Sequence, residues 1–150
     1  MNVYETLKEL GLQLPQAPAK GGVYSPSKRF GGNLVYISGC GPVLSEPVTG
    51  KLGQEFDVEG AKVHARNAML NVLAVLEREI GDLNRVKSCV KLLVFVAGTN
   101  EFYQQPAVAN GASELLAAMF NDVPTRSAIG VNALPGNIPV EVEGIFEIED

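Results

Sequence analysis

The run Val123-Pro-Thr-Arg-Ser-Ala-Ile-Gly-Val-Asn-Ala-Leu-Pro-Gly-Asn-Ile-Pro-Val-Glu-Val-Glu143 decides how this 150-residue chain closes its fold. Two apolar-rich segments, residues 127–131 and 138–148, flank a turn signal at Leu134-Pro-Gly-Asn137. In the second segment Ile138, Val140, Val142, Phe146 and Ile148 are apolar, while Glu141, Glu143, Glu147 and Glu149 occupy the alternate positions. A period of two marks a strand with one face in a core. Antiparallel pairing across the turn predicts a closing hairpin with Arg126 and Glu141 near one end. A fixed guanidinium with a carboxylate close by can hold a small anionic substrate and still manage a proton or a water.

Upstream, the order of elements is legible from periodicity and stop signals. Asn2 caps a short helix over residues 3–10 that Gly11 ends, and an extended connector follows. Residues 22–27, rich in Pro and Ser, belong to an edge or a loop. Asn33-Leu-Val-Tyr-Ile-Ser-Gly-Cys40 is a buried strand, and residues 42–54 form a surface excursion. Asp57 opens the longest helix, whose stripe runs through Ala61, Ala65, Met69, Val72 and Leu76 to Ile80, with Gly81 as its stop. The lone His64 falls beside that stripe as a surface or boundary side chain. Residues 86–96 form a long strand that places Val86, Val90, Leu92, Val94 and Val96 on one face, with room for a bulge. A second helix starts near Pro106 and runs to residue 118 or 120, weakened by Gly111.

This order predicts an α+β fold: a mixed sheet with two main helices packed on one face, plus a short N-terminal helix. The whole chain, 1–150, reads as one domain, with residues 1–19 as the N-terminal helix and connector. Residues 34–37 and 92–96 are apolar on both sides, and no further helix remains to cover the second face. Association with other copies is the natural cover.

Composition narrows the functions. Apolar residues make up 46% and charged residues 19%, which suits a globular chain. No run of 18 apolar residues and no leader pattern occur, so no membrane partner is expected and the cytoplasm is the expected compartment. Net charge is −5 and the 12 basic residues are scattered, which argues against nucleic acid as a partner. With one His and two distant cysteines, Cys40 and Cys89, no metal-ligand spacing can be written. Neither a metal nor a cofactor is expected, and both thiols read as small packed hydrophobes.

Several pieces of the chain resemble the RidA/YjgF family, also called L-PSP endoribonucleases. They are Gly22-Val-Tyr24, Val35-Tyr-Ile-Ser-Gly39 with Pro42, Thr49-Gly50, Asn71-Val-Leu-Ala-Val-Leu76, Val86-Lys87 and Glu101-Phe102. The most specific is Pro124-Thr-Arg-Ser127 with Leu134-Pro135 and Val140-Glu-Val-Glu143. The N-terminal helix and residues 105–113 look like a longer, less characterised subgroup. The resemblance implies a chorismate-mutase-like fold, a homotrimer and a cleft between subunits. It also implies hydrolysis of reactive 2-enamino and 2-imino acids to the 2-keto acid and ammonia. On that basis Arg126 would bind the substrate carboxylate, Glu141 would position water or shuttle a proton, and Tyr24 and Ser38 would contact the substrate. The family asparagine of the second helix aligns with either Asn110 or Ser113.

Two departures stand out: Cys40 where the family often has glutamine, and Ala128 where it commonly has cysteine. They keep open a second reading, a trimeric binder of small carboxylates without turnover. A third, ribonuclease or translation inhibitor, has the acidic charge against it. Each candidate also has a plainer role: Arg126 in a surface ion pair, which contributes little, Glu141 on a solvated strand face, Tyr24 as a cap over the core, and Ser38 as a small residue beside Gly39.

Overall fold

The computed structural model describes residues 2–149. Helix α1 (Val3–Glu9) begins where Asn2 Oδ1 accepts the Tyr4 N–H at 2.9 Å, satisfying one of the unpaired donors of a helix start. Then come β1 (Ser27–Phe30), β2 (Leu34–Cys40), α2 (Val58–Ile80), β3 (Val86–Ala97), α3 (Gln105–Phe120), β4 (Thr125–Val131) and β5 (Val140–Ile148). Asp57 Oδ1 caps α2 through the Gly60 N–H at 2.8 Å, and Gly81 ends it in the left-handed region at φ 88°. Both long helices pack on one face of the sheet, α2 against β2 and β5, α3 against β3 and β4. The expected α+β architecture is the observed one.

The strand order β1-β2-β5-β3-β4 overturns the closing hairpin. β5 runs antiparallel to β2 on one side and to β3 on the other. β4 pairs parallel with β3 and lies at the far edge. The cause is the helix between them: α3 carries the chain back over the sheet, as a parallel pairing requires. The Leu134–Asn137 stretch is therefore a crossing from the edge to the centre, with a 3₁₀ turn at Pro135–Asn137. Its end is anchored where the Gly50 N–H donates to the Asn137 carbonyl and the Ala97 N–H to that of Pro139, both at 2.9 Å.

The sheet has one dry face. Val35 and Ile37 of β2, Leu92, Val94 and Val96 of β3, and Val140, Val142 and Phe146 of β5 are fully buried under the helices with Met69, Leu73 and Leu76. In β3 the sequence parity fails near the start. The register against β5 shifts between Cys89 and Lys91, so Cys89 (5% exposed) joins Leu92 in the core and Val90 (40% exposed) turns outward. One extra residue in a bulge reverses the side chains before it, and a second shift between Val86 and Ser88 returns Val86 to the core.

Gly111 has a different role from the one its helix propensity suggests. A Cβ there would stand 2.0 Å from the Lys62 carbonyl oxygen, so α2 and α3 cross with backbones in contact at this glycine. On the other face of the sheet lie Tyr36, Leu93, Phe95, Ile129 and Ile145, half-buried or exposed, among Glu141, Glu143 and Glu147. No helix among the described residues is long and apolar enough to cross a membrane.

Candidate functional site

The four candidate residues fall into two groups on different parts of the sheet. Arg126 is paired with Leu92 in the β3–β4 register, so it shares Leu92's helix-side face. Its Nη1 donates to Asn110 Oδ1 at 2.8 Å and to Ser113 Oγ at 3.1 Å, both on α3. Asn110 and Ser113 stand one helical turn apart and point the same way. Both candidate alignments of the helix asparagine thus meet the same nitrogen. Around them is a cavity of about 480 Å³ walled by Glu114, Ala117, Val123 and Pro124. No carboxylate among the described residues pairs with Arg126; the nearby Glu114 bonds to Lys62 instead, at 3.5 Å. The ion-pair role for Arg126 is absent from the described residues.

Glu141 is in the centre of the sheet. It pairs with Phe95, on the face away from the helices. Arg126 and Glu141 therefore lie on opposite faces, two strands apart and three residues apart along β3 (Leu92 against Phe95), which is about 10 Å in each direction and roughly 14 Å in the plane of the sheet. The expectation that one hairpin brings them together is wrong for a single chain, because β3 stands between their strands.

The second group forms around the end of β2. Ser38 Oγ donates to the Ser25 carbonyl at 2.7 Å, and the Ser38 N–H donates to the Pro26 carbonyl at 2.9 Å. These bonds bring the 18–26 loop, with Tyr24, against β2. Tyr24 Oη accepts the Gly21 N–H at 3.0 Å. Tyr24, Ser38, Gly39 and Cys40 line a cavity of about 140 Å³ together with Lys20. Glu141 adjoins it through Gly39: its carboxyl carbon and Oε1 lie 2.8 Å from where a Gly39 Cβ would be.

Burial, and next the charge of Glu143, raise the Glu141 carboxyl above its ordinary range. Burial and then the Glu141 charge push the Cys40 thiol up to about 12. Cys40 is therefore a protonated, packed side chain and no nucleophile.

One organiser of this group has a weak sequence signal. Asn71, buried in the apolar stripe of α2, donates from Nδ2 to the carbonyls of Gly41 and Val43, both at 2.9 Å. An amide in the middle of an otherwise apolar helix face is the sign that could have found it. His64 belongs to neither group. It sits edge-on to Phe56 at 4.9 Å between ring centres, and its buried Nδ1 has no hydrogen-bond partner among the described residues. Among the described residues no three of His, Cys, Asp and Glu converge on a metal site.

The chain thus presents a bare cation at one edge of the sheet and a hydroxyl and carboxylate group toward the other. The family model for endoribonuclease L-PSP matches residues 14–148. Protein TCP17 of Trypanosoma cruzi is 36% identical over 99% of this chain and 95% of its own. The 2-iminobutanoate/2-iminopropanoate deaminase of Dermatophagoides farinae is 33% identical over 92% of this chain and 95% of its own. Among solved structures, Atu1372 of Agrobacterium tumefaciens superposes with a TM-score of 0.91 at 38% identity, covering 98% of this chain and 92% of that one. With the match spanning both groups and nearly the whole sheet, the chain belongs to the RidA/YjgF, or endoribonuclease L-PSP, family.

Proposed function

We propose that the protein is a hydrolytic deaminase of 2-imino and 2-enamino acids, working in clefts between copies of itself. The observation that carries this reading is the Arg126 guanidinium, fixed by two neutral acceptors and paired with no carboxylate among the described residues. An arginine held in place but left with its charge is a ready receptor for a small carboxylate. Its opposite-face separation from Glu141 supports the association of copies: one chain supplies the cation and a neighbour supplies Tyr24, Ser38 and Glu141. The half-apolar second face of the sheet is the surface such copies would cover. A homotrimer is the assembly this reading takes. Relatives named for deamination of 2-iminobutanoate and 2-iminopropanoate favour this substrate class.

The chemistry needs little more than placement. The C=N carbon of an imino acid is electrophilic, and holding it against a water supplies most of what is needed. With the carboxylate on Arg126, water attacks that carbon while Glu141 accepts its proton. Glu141 passes that proton to the imine nitrogen to give the neutral carbinolamine, then takes the hydroxyl proton and returns it to nitrogen as the C–N bond breaks, so that ammonia and the 2-keto acid leave. An enamine first gains a proton on carbon and loses one from nitrogen to become the imine. Each turnover consumes one water and uses no external oxidant or reductant. A carboxyl raised above its usual range suits the proton-carrying role, because it passes protons more readily near neutral pH.

The test is keto-acid release from 2-aminoacrylate generated in situ by a pyridoxal-phosphate dehydratase. Acceleration by the wild type, lost in Arg126→Ala, is the expected result. No acceleration at micromolar protein removes this substrate class. Arg126-dependent binding of 2-keto acids without turnover would instead establish the binder.

A further inference from the structure

The two bonds on Arg126 specify more than its position. Nη1 carries two N–H groups, and it meets two acceptors, Asn110 Oδ1 at 2.8 Å and Ser113 Oγ at 3.1 Å. Nε and Nη2 have no partner among the described residues. A guanidinium offers a carboxylate two forks: an end-on fork from Nη1 and Nη2, and a side-on fork from Nε and Nη2. With both hydrogens of Nη1 directed at α3, the end-on fork is closed. We infer that Asn110 and Ser113 are positioning residues that turn the Arg126 guanidinium so that the substrate carboxylate is taken side-on, by Nε and Nη2.

This inference rests on the proposed function and adds the direction of approach. Because both acceptors are neutral, they fix the plane of the guanidinium without cancelling its charge. One residue alone would leave the plane free to rotate about the Nη1 bond; two acceptors a turn apart on a rigid helix remove that freedom. The carboxylate then meets a fork whose orientation is already set, and less conformational entropy is lost on binding. The side-on direction also places the rest of the substrate beyond Nε and Nη2, away from α3. That is where a residue of another copy can reach the C=N carbon.

The experiment titrates 2-ketobutyrate, a stable carboxylate probe, into wild type, Asn110→Ala, Ser113→Ala, the double variant and Ser113→Thr. Each single alanine variant weakens binding about 3- to 10-fold and the double variant on the order of 30- to 100-fold. Ser113→Thr, which keeps the hydroxyl, stays within about 3-fold of wild type. In turnover, KM rises by the same factors while kcat changes less, because a binding contact is loosened and the proton-carrying carboxylate is untouched. A melting curve unchanged from wild type separates this from damage to α3. A co-crystal with 2-ketobutyrate shows its carboxylate on Nε and Nη2.

If wild-type binding depends on Arg126 but the double variant binds equally well, the positioning role is wrong and the proposed function stands. A carboxylate found on Nη1 has the same consequence. If wild type and Arg126→Ala both fail to bind 2-ketobutyrate, the receptor role of Arg126 falls, and this inference with it.

Discussion

Glu141 rests against the bare α-carbon of Gly39: its carboxyl carbon and Oε1 both lie 2.8 Å from the position of a Cβ there, and its Cγ lies at 3.0 Å. The two 2.8 Å distances are shorter than real Cβ contacts, so no other residue fits without moving the carboxylate. Gly39 thus fixes where the proposed proton carrier stands, from a neighbouring strand. Gly39→Ala is expected to lower kcat on 2-aminoacrylate by about 10- to 100-fold, since a misplacement of 1 Å can cost on the order of 100-fold in rate. Binding of 2-ketobutyrate, which depends on Arg126, should stay within a few-fold. Unchanged kcat in a folded Gly39→Ala variant would show that the contact has no catalytic consequence.

The charge on Arg126 is not enough by itself. Lysine in its place keeps a cation but loses the planar fork, and its ammonium cannot meet Asn110, Ser113 and a carboxylate in one plane. Arg126→Lys should weaken 2-ketobutyrate binding by roughly 10-fold or more. A lysine variant that binds as tightly as wild type would mean that the site reads charge alone. Titration calorimetry distinguishes the two.

How much of this was legible in the sequence depends on how local each signal is. Asp57, Gly81 and the apolar stripe of α2 are local, and the helix lies where they put it. The alternation of β5 is also local, and Val140, Val142, Phe146 and Ile148 all face the core. Strand pairing is not local. Leu134-Pro-Gly-Asn137 has the residues of a turn whether the next strand pairs beside β4 or crosses to the centre. Only the helix between β3 and β4, which imposes a parallel partner, decides. The same limit applies to the site. Arg126 and Glu141 stand out as a charged pair in an apolar context, but their placement on opposite faces depends on registers no single segment encodes. Gly111 shows the converse: its propensity reads as weakness, while its use is a backbone contact 49 residues away in sequence, at Lys62.

That contact makes a stability prediction. A methyl group on residue 111 would lie 2.0 Å from the Lys62 carbonyl oxygen and 2.8 Å from its carbon, which are backbone atoms and cannot turn aside. Gly111→Ala would ordinarily favour a helix by about 1 kcal/mol. Here the helices must separate, and overpacking typically costs about 1–3 kcal/mol or more. The net expectation is a loss of about 2 kcal/mol in urea unfolding, or failure to fold. A more stable alanine variant would show that α2 and α3 can part freely.

The carboxyl of Glu141 makes a pH prediction. Its proton affinity is higher in the folded protein than its ordinary value of 4.5, first through burial and next through Glu143. In the window between those two values the folded state holds more protons than the unfolded state. Stability therefore falls as pH rises through the window. Glu141→Gln removes the titrating group while keeping its shape. The variant should equal wild type below the window, then gain on it with rising pH and stay more stable at neutral pH. Because Glu141 is only half-buried, the gain should be less than about 1 kcal/mol. Denaturant titrations at acid and neutral pH measure it, and a gain that shrinks with rising pH would contradict the assigned direction.

The division of the site between copies can be tested without a structure. Arg126→Ala and Glu141→Ala chains should each be inactive when purified alone. If Arg126 of one copy works with Glu141 of another, a mixed assembly contains some clefts in which both partners are intact. Random assembly of equal amounts gives about a quarter of all clefts this composition, because each position is filled independently. Co-expression of the two variants should therefore recover roughly a quarter of wild-type activity on 2-aminoacrylate. If both functional residues came from one chain, every cleft would carry one of the two lesions and no activity would return. The recovered fraction is thus a direct readout of the opposite-face arrangement of Arg126 and Glu141 across β3. A mixture that stays as inactive as its parents, with subunit exchange verified by mass, would refute the shared cleft.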